Sequence, residues 1–288
     1  MSSTPREMGD PSGDCRIRSL DIEKCERFAF GENWRSFLAI LDEERILEAE
    51  SSLRNMLELE NLEGKTFLDI GSGSGLFSLA ARRMGAGVHS FDYDPASVWC
   101  ATELRRRYLP DDTKWTIEQD SVLDEDYLRS LGQFDIVYAW GVLHHTGDLW
   151  KSLALVAPLV KKGGGKLFLA VYNDQGHKSR RWRSVKRSYC RGPLIVKLLI
   201  LGFVTITFWG RTTVLDFVHM RPFRSWRNYY RSRGMSPWRD IVDWAGGYPF
   251  EVAQPDKVFD FYRERGFILR RLVTRNGIGN NEFVFEMP

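Results

Sequence analysis

The segment Phe67-Leu68-Asp69-Ile70-Gly71-Ser72-Gly73-Ser74-Gly75 constrains this chain most, because an apolar run meets a carboxylate and then passes into three alternating glycines. A buried strand turning tightly into a helix reads this way. Glycine alone lacks the Cβ that would hold a ligand away from the loop backbone. Seventeen residues past Gly75, Asp92 closes a second apolar run, Val88-His89-Ser90-Phe91. A third acid, Asp120, followed by Ser121, comes after the run Trp115–Gln119. Carboxylates at three successive strand ends line up along the sheet edge where open parallel sheets take their ligands.

The pattern around these residues alternates strand and helix. Strands are expected at Thr66–Ile70, Val88–Asp92, Trp115–Gln119, Phe134–Trp140 and Lys166–Tyr172. Helices are expected between them at Leu76–Arg83, Ala96–Tyr108, Asp124–Leu131 and Leu149–Val160. No strand shows the strict in–out alternation of a solvated sheet, which implies an α/β fold with a doubly wound parallel sheet. Pro255–Arg265 reads as a helix with proline in its first turn and Gly266 just beyond its end. Phe267–Thr274 and Glu282–Met287 read as two further strands joined through Asn276-Gly277, for seven in all. Apolar residues at helical spacing over 33–59 add one or two helices ahead of the first strand. The chain thus divides into a tail with capping helices (1–63), a ligand-binding core (64–174), an insertion (175–250) and a closing helix with two strands (251–288).

Charge is distributed unevenly. Between Gln175 and Arg239 there are fifteen Lys or Arg and one acid, Asp216, so this stretch carries +14 while the chain as a whole carries +3. An acidic body with a basic insertion calls for an anionic neighbour or open solvent. The four cysteines, Cys15, Cys25, Cys100 and Cys190, show no metal-ligand spacing and read as free thiols. No metal site is expected. The first residues lack a basic-then-apolar leader, so the expectation is a cytoplasmic protein.

Two rival nucleotide loops fail on single residues. The dinucleotide fingerprint needs glycine where Leu76 or Ser78 stands, and the ATP loop needs a lysine that is absent. The segments FLDIGSGSG, VHSFDYDP, QDSVLD, FDIVYAWGVLHHTGD and GGGKLFLAVYND together resemble the class I S-adenosylmethionine-dependent methyltransferases. The resemblance implies a Rossmann-like methyltransferase fold whose last strand is antiparallel. It implies S-adenosylmethionine as cofactor and S-adenosylhomocysteine as product. On the same basis Asp69, Gly71, Ser72, Gly73 and Gly75 line the methionine part of the cofactor. Asp92 takes the ribose, while Tyr93, Asp120, Ser121 and Trp140 surround the rest.

Methyl transfer needs an aligned acceptor lone pair, and a hydroxyl acceptor gains from a general base. His144 and His145, just past the fourth strand, are the candidate bases, with packing beneath the cofactor as the alternative. Tyr172 and Asn173, at the end of the fifth strand, are candidates for touching the acceptor. So are Trp34 with Arg35, Asp243-Trp244, and Gly246 through Glu251. Several family subclasses lack their motif here. There is no Asn/Asp-Pro-Pro-Tyr/Phe after the fourth strand, no pair of glutamates in the corresponding loop, and no Pro-Cys nucleophile. The expectation is an O-methyltransferase of a small-molecule, sugar or lipid-linked acceptor, anionic acceptors included. RNA methylation and a non-catalytic cofactor-binding scaffold are the alternatives. The apolar stretch Leu194–Trp209 reads either as a buried lid helix or as a segment on an anionic membrane face. In the second case contact is made through 178–211, with Arg181, Arg183, Lys186, Arg187 and Arg191 at the headgroups. RNA binding would instead use Trp182, Tyr189, Trp226, Tyr229 and Tyr230 for stacking.

Overall fold

The computed structural model describes Leu38, residues 41–227 and residues 237–288. Trp34, Arg35, Cys15, Cys25, Tyr229 and Tyr230 lie outside the described residues.

The strands are β1 (Thr66–Ile70), β2 (Gly87–Asp92), β3 (Trp115–Gln119), β4 (Ile136–Trp140), β5 (Gly165–Tyr172), β6 (Ile268–Val273) and β7 (Asn280–Met287). They form one seven-stranded sheet in the order β3-β2-β1-β4-β5-β7-β6. β1 to β5 pair in parallel, and β7 runs antiparallel to both β5 and β6. The order reverses between β1 and β4, so the loops after those two strands face each other across a crevice.

The helices are α1 (Glu43–Leu57), α2 (Leu76–Arg83), α3 (Pro95–Tyr108), α4 (Glu125–Leu131), α5 (Leu149–Val156), α6 (His177–Arg191), α7 (Leu194–Val218), α8 (Pro237–Gly246) and α9 (Pro255–Arg263). Asp42, Asp94, Asp124 and Asp148 each cap a helix N-terminus by accepting a backbone N–H, which explains where α1, α3, α4 and α5 begin. α5 is shorter than its sequence suggests: Pro158 shifts the last turn into a 3₁₀ segment, Ala157–Leu159.

The sheet is buried on both faces, as a parallel sheet must be. One layer gathers Leu68, Ile70, Val137, Leu153, Leu167, Tyr262 and Phe285. The other gathers Leu53, Phe67, Leu79, Leu104, Trp115, Tyr138 and Phe168. A third, smaller cluster holds Leu201, Val204, Ile241 and Ala245, which pack α7 on α6 and α8.

The insertion departs from its sequence reading. The apolar segment does not stop at Trp209. α7 continues to Val218 and spans 25 residues. Thr205 and Thr207 return their hydroxyls to Leu201 O and Phe203 O one turn back, at 2.7 and 2.8 Å, so neither interrupts the helix. Nor is α7 a buried lid helix. Among its described residues only Leu201 and Val204 are buried.

Candidate functional site

The sequence makes a site where β1 opens into its loop. Gly71, Gly73 and Gly75 take φ values of +69°, +55° and +80°, the left-handed region that side chains avoid. A Cβ on Gly71 would lie 2.2 Å from Val142 Cγ2, and one on Gly75 would lie 2.8 Å from Ala101 Cα. The first glycine therefore lets the turn after β4 approach the loop, and the third lets α2 pack on α3. Phe91 O accepts from Gly71 N and Ser72 N at 2.9 and 3.2 Å, tying the loop to β2. Asp92 completes the tie: Oδ2 accepts from Gly73 N and Oδ1 from Asp94 N, each at 2.9 Å. Burial nevertheless pushes its carboxyl up to about 6.

The remaining cofactor-side residues follow in strand order along the carboxyl edge. Asp120 N donates to Asp92 O at 3.2 Å, and Asp120 Oδ1 accepts from Ser121 N at 2.7 Å. Tyr93 after β2 and Trp140 at the end of β4 are exposed aromatic faces. Ser72 Oγ is buried with no partner among the described protein atoms. A carboxylate with lone pairs left, an orphaned hydroxyl and an exposed ring beside the loop fit an amino-acid tail, a ribose and a base. Asp69 has a different place. It is buried, accepts from Ser78 Oγ of α2 at 2.5 Å, and is pushed up to about 7 by burial. Its carboxyl joins β1 to α2 beneath the loop.

Beyond β4 the chain folds into the short 3₁₀ turn Leu143–His145. His144 is buried, and neither of its ring nitrogens has a partner among the described residues. Its ring lies 4.5 Å from that of His145 and 4.1 Å from that of Tyr172. Burial holds His144 well below its ordinary range, and the nearby His145 and Lys186 act in the same direction. His145 is oriented differently: its Nδ1 lies 2.6 Å from Pro249 O. A carbonyl only accepts, so Nδ1 carries a proton, and when the ring is neutral its lone pair is on Nε2.

The segment from Trp244 to Ala253 holds this turn in place. Glu251 N donates to His144 O at 3.0 Å, and Ala253 N to Tyr172 O at 3.0 Å. The Glu251 carboxyl, raised by burial, sits by the start of α5, close to Asp148 and Arg183. Tyr172, pushed up to about 12 by burial, packs its ring 5.1 Å from Phe250 and 5.9 Å from Trp244. Asn173 points its amide elsewhere, donating to Arg275 O at 3.1 Å and Gly277 O at 3.4 Å in the β6–β7 loop.

Lys186 corrects the sequence reading outright. It is fully buried rather than placed at a headgroup. Its Nζ donates to Trp244 O and sits 3.9 Å from the centroid of the Trp244 ring. Burial pulls its amine down to about 7. Arg183 also turns partly inward, donating from Nε to Phe250 O at 3.0 Å. Of the aromatic residues assigned to RNA stacking, Trp182 and Trp226 are partly packed. Trp182 lies 5.4 Å from Trp244, and Trp209 covers Trp226 at 4.7 Å. Sequence reasoning names Trp244 and Phe250 as acceptor-pocket candidates and misses that they cover Lys186. It misses Ser78 under Asp69, for which the position one turn into α2 is the available signal.

A family model described as a methyltransferase domain matches residues 41–233. Over 119 residues the chain is 34% identical to a tRNA U34 carboxymethyltransferase of Pseudomonas fluorescens, covering 40% of this chain and 36% of that protein. Over 142 residues it is 33% identical to a ubiquinone biosynthesis O-methyltransferase of Thiobacillus denitrificans, covering 49% of this chain and 56% of the relative. The matches thus span about a third to just over half of these curated relatives. Magnesium protoporphyrin IX methyltransferase of Synechocystis PCC 6803, solved with S-adenosylhomocysteine, superposes with a TM-score of 0.50 at 15% identity, over 96% of this chain and 95% of that one.

Proposed function

Because this chain belongs to the methyltransferase-domain family, within the class I enzymes that use S-adenosylmethionine, we propose that it methylates a hydroxyl of a small-molecule, sugar or lipid-linked acceptor. The observation that carries the hydroxyl reading is the 2.6 Å contact between His145 Nδ1 and Pro249 O. It puts a proton on Nδ1, so that whenever the ring is neutral its lone pair is on Nε2, the form a general base for an alcohol requires. His144, buried and held far below its ordinary range, packs behind that ring instead.

The cofactor supplies a methyl group on a sulfonium, which leaves as a neutral thioether. The Gly71–Gly75 loop and Ser72 would hold its amino-acid part, Asp92 its ribose diol, and Tyr93, Asp120 and Ser121 its adenine. Trp140, Tyr172 and Phe250 would exclude water beside the acceptor, and His145 Nε2 would take the hydroxyl proton. Asp69 then acts as a positioning residue through Ser78 and α2.

The carboxymethyltransferase relatives suggest RNA as a second acceptor class. The packing of Trp182 and Trp226 weighs against it, because stacking on bases needs exposed rings. Labelled methyl transfer from S-adenosylmethionine into lipid, sugar-nucleotide and RNA fractions separates these readings. Label is expected in the first or second fraction and lost in His145→Gln. Label confined to RNA would refute the proposal.

A further inference from the structure

α7 has two unlike faces. Leu201, Val204 and Phe208, spaced i, i+3 and i+7, form the inner one. Leu201 and Val204 are buried with Ile241 and Ala245, and the Phe208 ring lies 5.6 Å from both Trp182 and Trp244. At 100° per residue the opposite face carries Ile195, Leu199, Ile206 and Phe217. These are 68%, 70%, 73% and 52% exposed. Single exposed apolar residues need no explanation, but a continuous stripe along a helix about 37 Å long does. A groove of about 580 Å³ opens beside the stripe, lined by Ile206, Trp209, Phe217 and Trp226 among others.

The neighbouring helix supplies charge. Arg180, Arg187 and Arg191 recur at i, i+7 and i+11 on one exposed face of α6, and Lys178 and Arg181 are exposed too. No Asp or Glu occurs between residues 175 and 215. A second copy of this chain would set one basic arc against another. An anionic lipid surface complements both the charge and the apolar stripe.

Protein contacts fix how the helix can meet such a surface. They run from the Lys197–Tyr189 cation–π pair at 6.0 Å to Trp226 Nε1 on Thr213 Oγ1 at 3.1 Å and Ser225 on Asp216 at 2.8 Å. α7 is therefore anchored to α6 and α8 through Leu201 and Val204, and the segment after it folds back on Thr213 and Asp216. Length and composition alone would let it cross a membrane, but Leu201 and Val204 are buried against α8, and Phe208, though 47% exposed, meets the rings of Trp182 and Trp244.

We propose that α7 lies in the plane of an anionic bilayer, its outer stripe in the headgroup–acyl boundary and the α6 arginines against the headgroups. Ring contacts lead from the inner face of α7 to the site: Phe208 to Trp244 at 5.6 Å, Trp244 to Tyr172 at 5.9 Å and Tyr172 to His144 at 4.1 Å. A bilayer held against α7 would put a lipid-dissolved acceptor on the side of the site where Trp244 and Tyr172 stand. That last step rests on the methyltransferase reading, whereas the membrane contact does not.

The test is flotation of the full chain with phosphatidylcholine vesicles and with mixed phosphatidylcholine–phosphatidylglycerol vesicles. The chain is expected to float with the mixture, and about tenfold less with neutral vesicles or at high salt. Leu199→Glu with Ile206→Glu should abolish flotation, and Arg180→Glu with Arg187→Glu should reduce it at least tenfold. Both variants should keep native circular dichroism and cofactor binding by titration. If the glutamate pair misfolds, Leu199→Ser with Ile206→Ser replaces it. Absent flotation of the wild type, equal flotation with neutral vesicles, or retained flotation of the stripe variant would each overturn the proposal. A wild-type dimer that Ile206→Glu converts to monomer would do so too, by making a second copy the occupant. Failure of methyl transfer would leave the flotation result standing.

Discussion

Replacing Lys186 with methionine keeps most of the side chain's volume and removes its charge, so the variant isolates what burying that amine costs. The folded protein holds the amine at about 7 against an ordinary 10.5. Between those pH values the unfolded chain keeps the proton and the folded chain has lost it, so stability rises with pH. Each pH unit across that interval is worth roughly 1.4 kcal/mol, so the penalty is about 4 kcal/mol at pH 7 and falls by roughly 2 kcal/mol by pH 9. It is gone above the unfolded value. Lys186→Met should be free of this pH dependence. The assay is urea unfolding of both proteins at pH 7, 8 and 9, reading the difference between them so that other titrations cancel. The expected result is a Lys186→Met advantage near neutrality that shrinks by roughly 2 kcal/mol at pH 9. The hydrogen bond to Trp244 O, worth about 1–3 kcal/mol, moves the offset but not this slope. A difference that stays flat with pH would show that the amine is solvated, and would remove Lys186 from the buried cluster.

Gly75→Ala meets a backbone atom of α3 and a left-handed φ, so it should cost about 2–4 kcal/mol in urea unfolding. Gly71→Ala meets a side chain, so Val142→Ala should restore part of its stability and do nothing for Gly75→Ala. S-adenosylmethionine affinity, by isothermal titration, should fall as pH drops through about 6, where Asp92 gains its proton. Asp92→Asn should flatten that profile, and a profile unchanged by it would move the ribose contact elsewhere. His145→Gln should lower kcat by about 10²–10⁴ with cofactor affinity unchanged, whereas His144→Phe should retain most activity. Equal losses in the two would undo the assignment of the base.

The sheet is legible in the sequence because its signals are local. Thr66–Ile70 and Trp115–Gln119 are apolar runs bounded by turn residues, and both form strands with the expected ends. Asp92 is legible as a strand-end acid for the same reason. Its bonds to Gly73 and Asp94 are not, since they depend on how two loops meet. Lys186 is misread because its burial comes from Trp244 and Phe250, about 60 residues further along, and nothing near it in sequence announces that contact. The full length of α7 escapes notice because threonines, Gly210 and Arg211 look like an ending. A helix tolerates them where its hydroxyls bond back and a neighbour covers one face.

The two bonds that Asp92 accepts have a kinetic meaning as well as a geometric one. Ordering the Gly71–Gly75 loop costs conformational entropy, and the protein meets that cost during folding, through Gly73 N and Asp94 N. An incoming nucleoside therefore encounters a preorganised loop rather than one it must assemble. Loss of Asp92 would remove a contact and return the loop's freedom together. The two effects differ in time: the lost contact speeds ligand departure, while the loosened loop slows arrival.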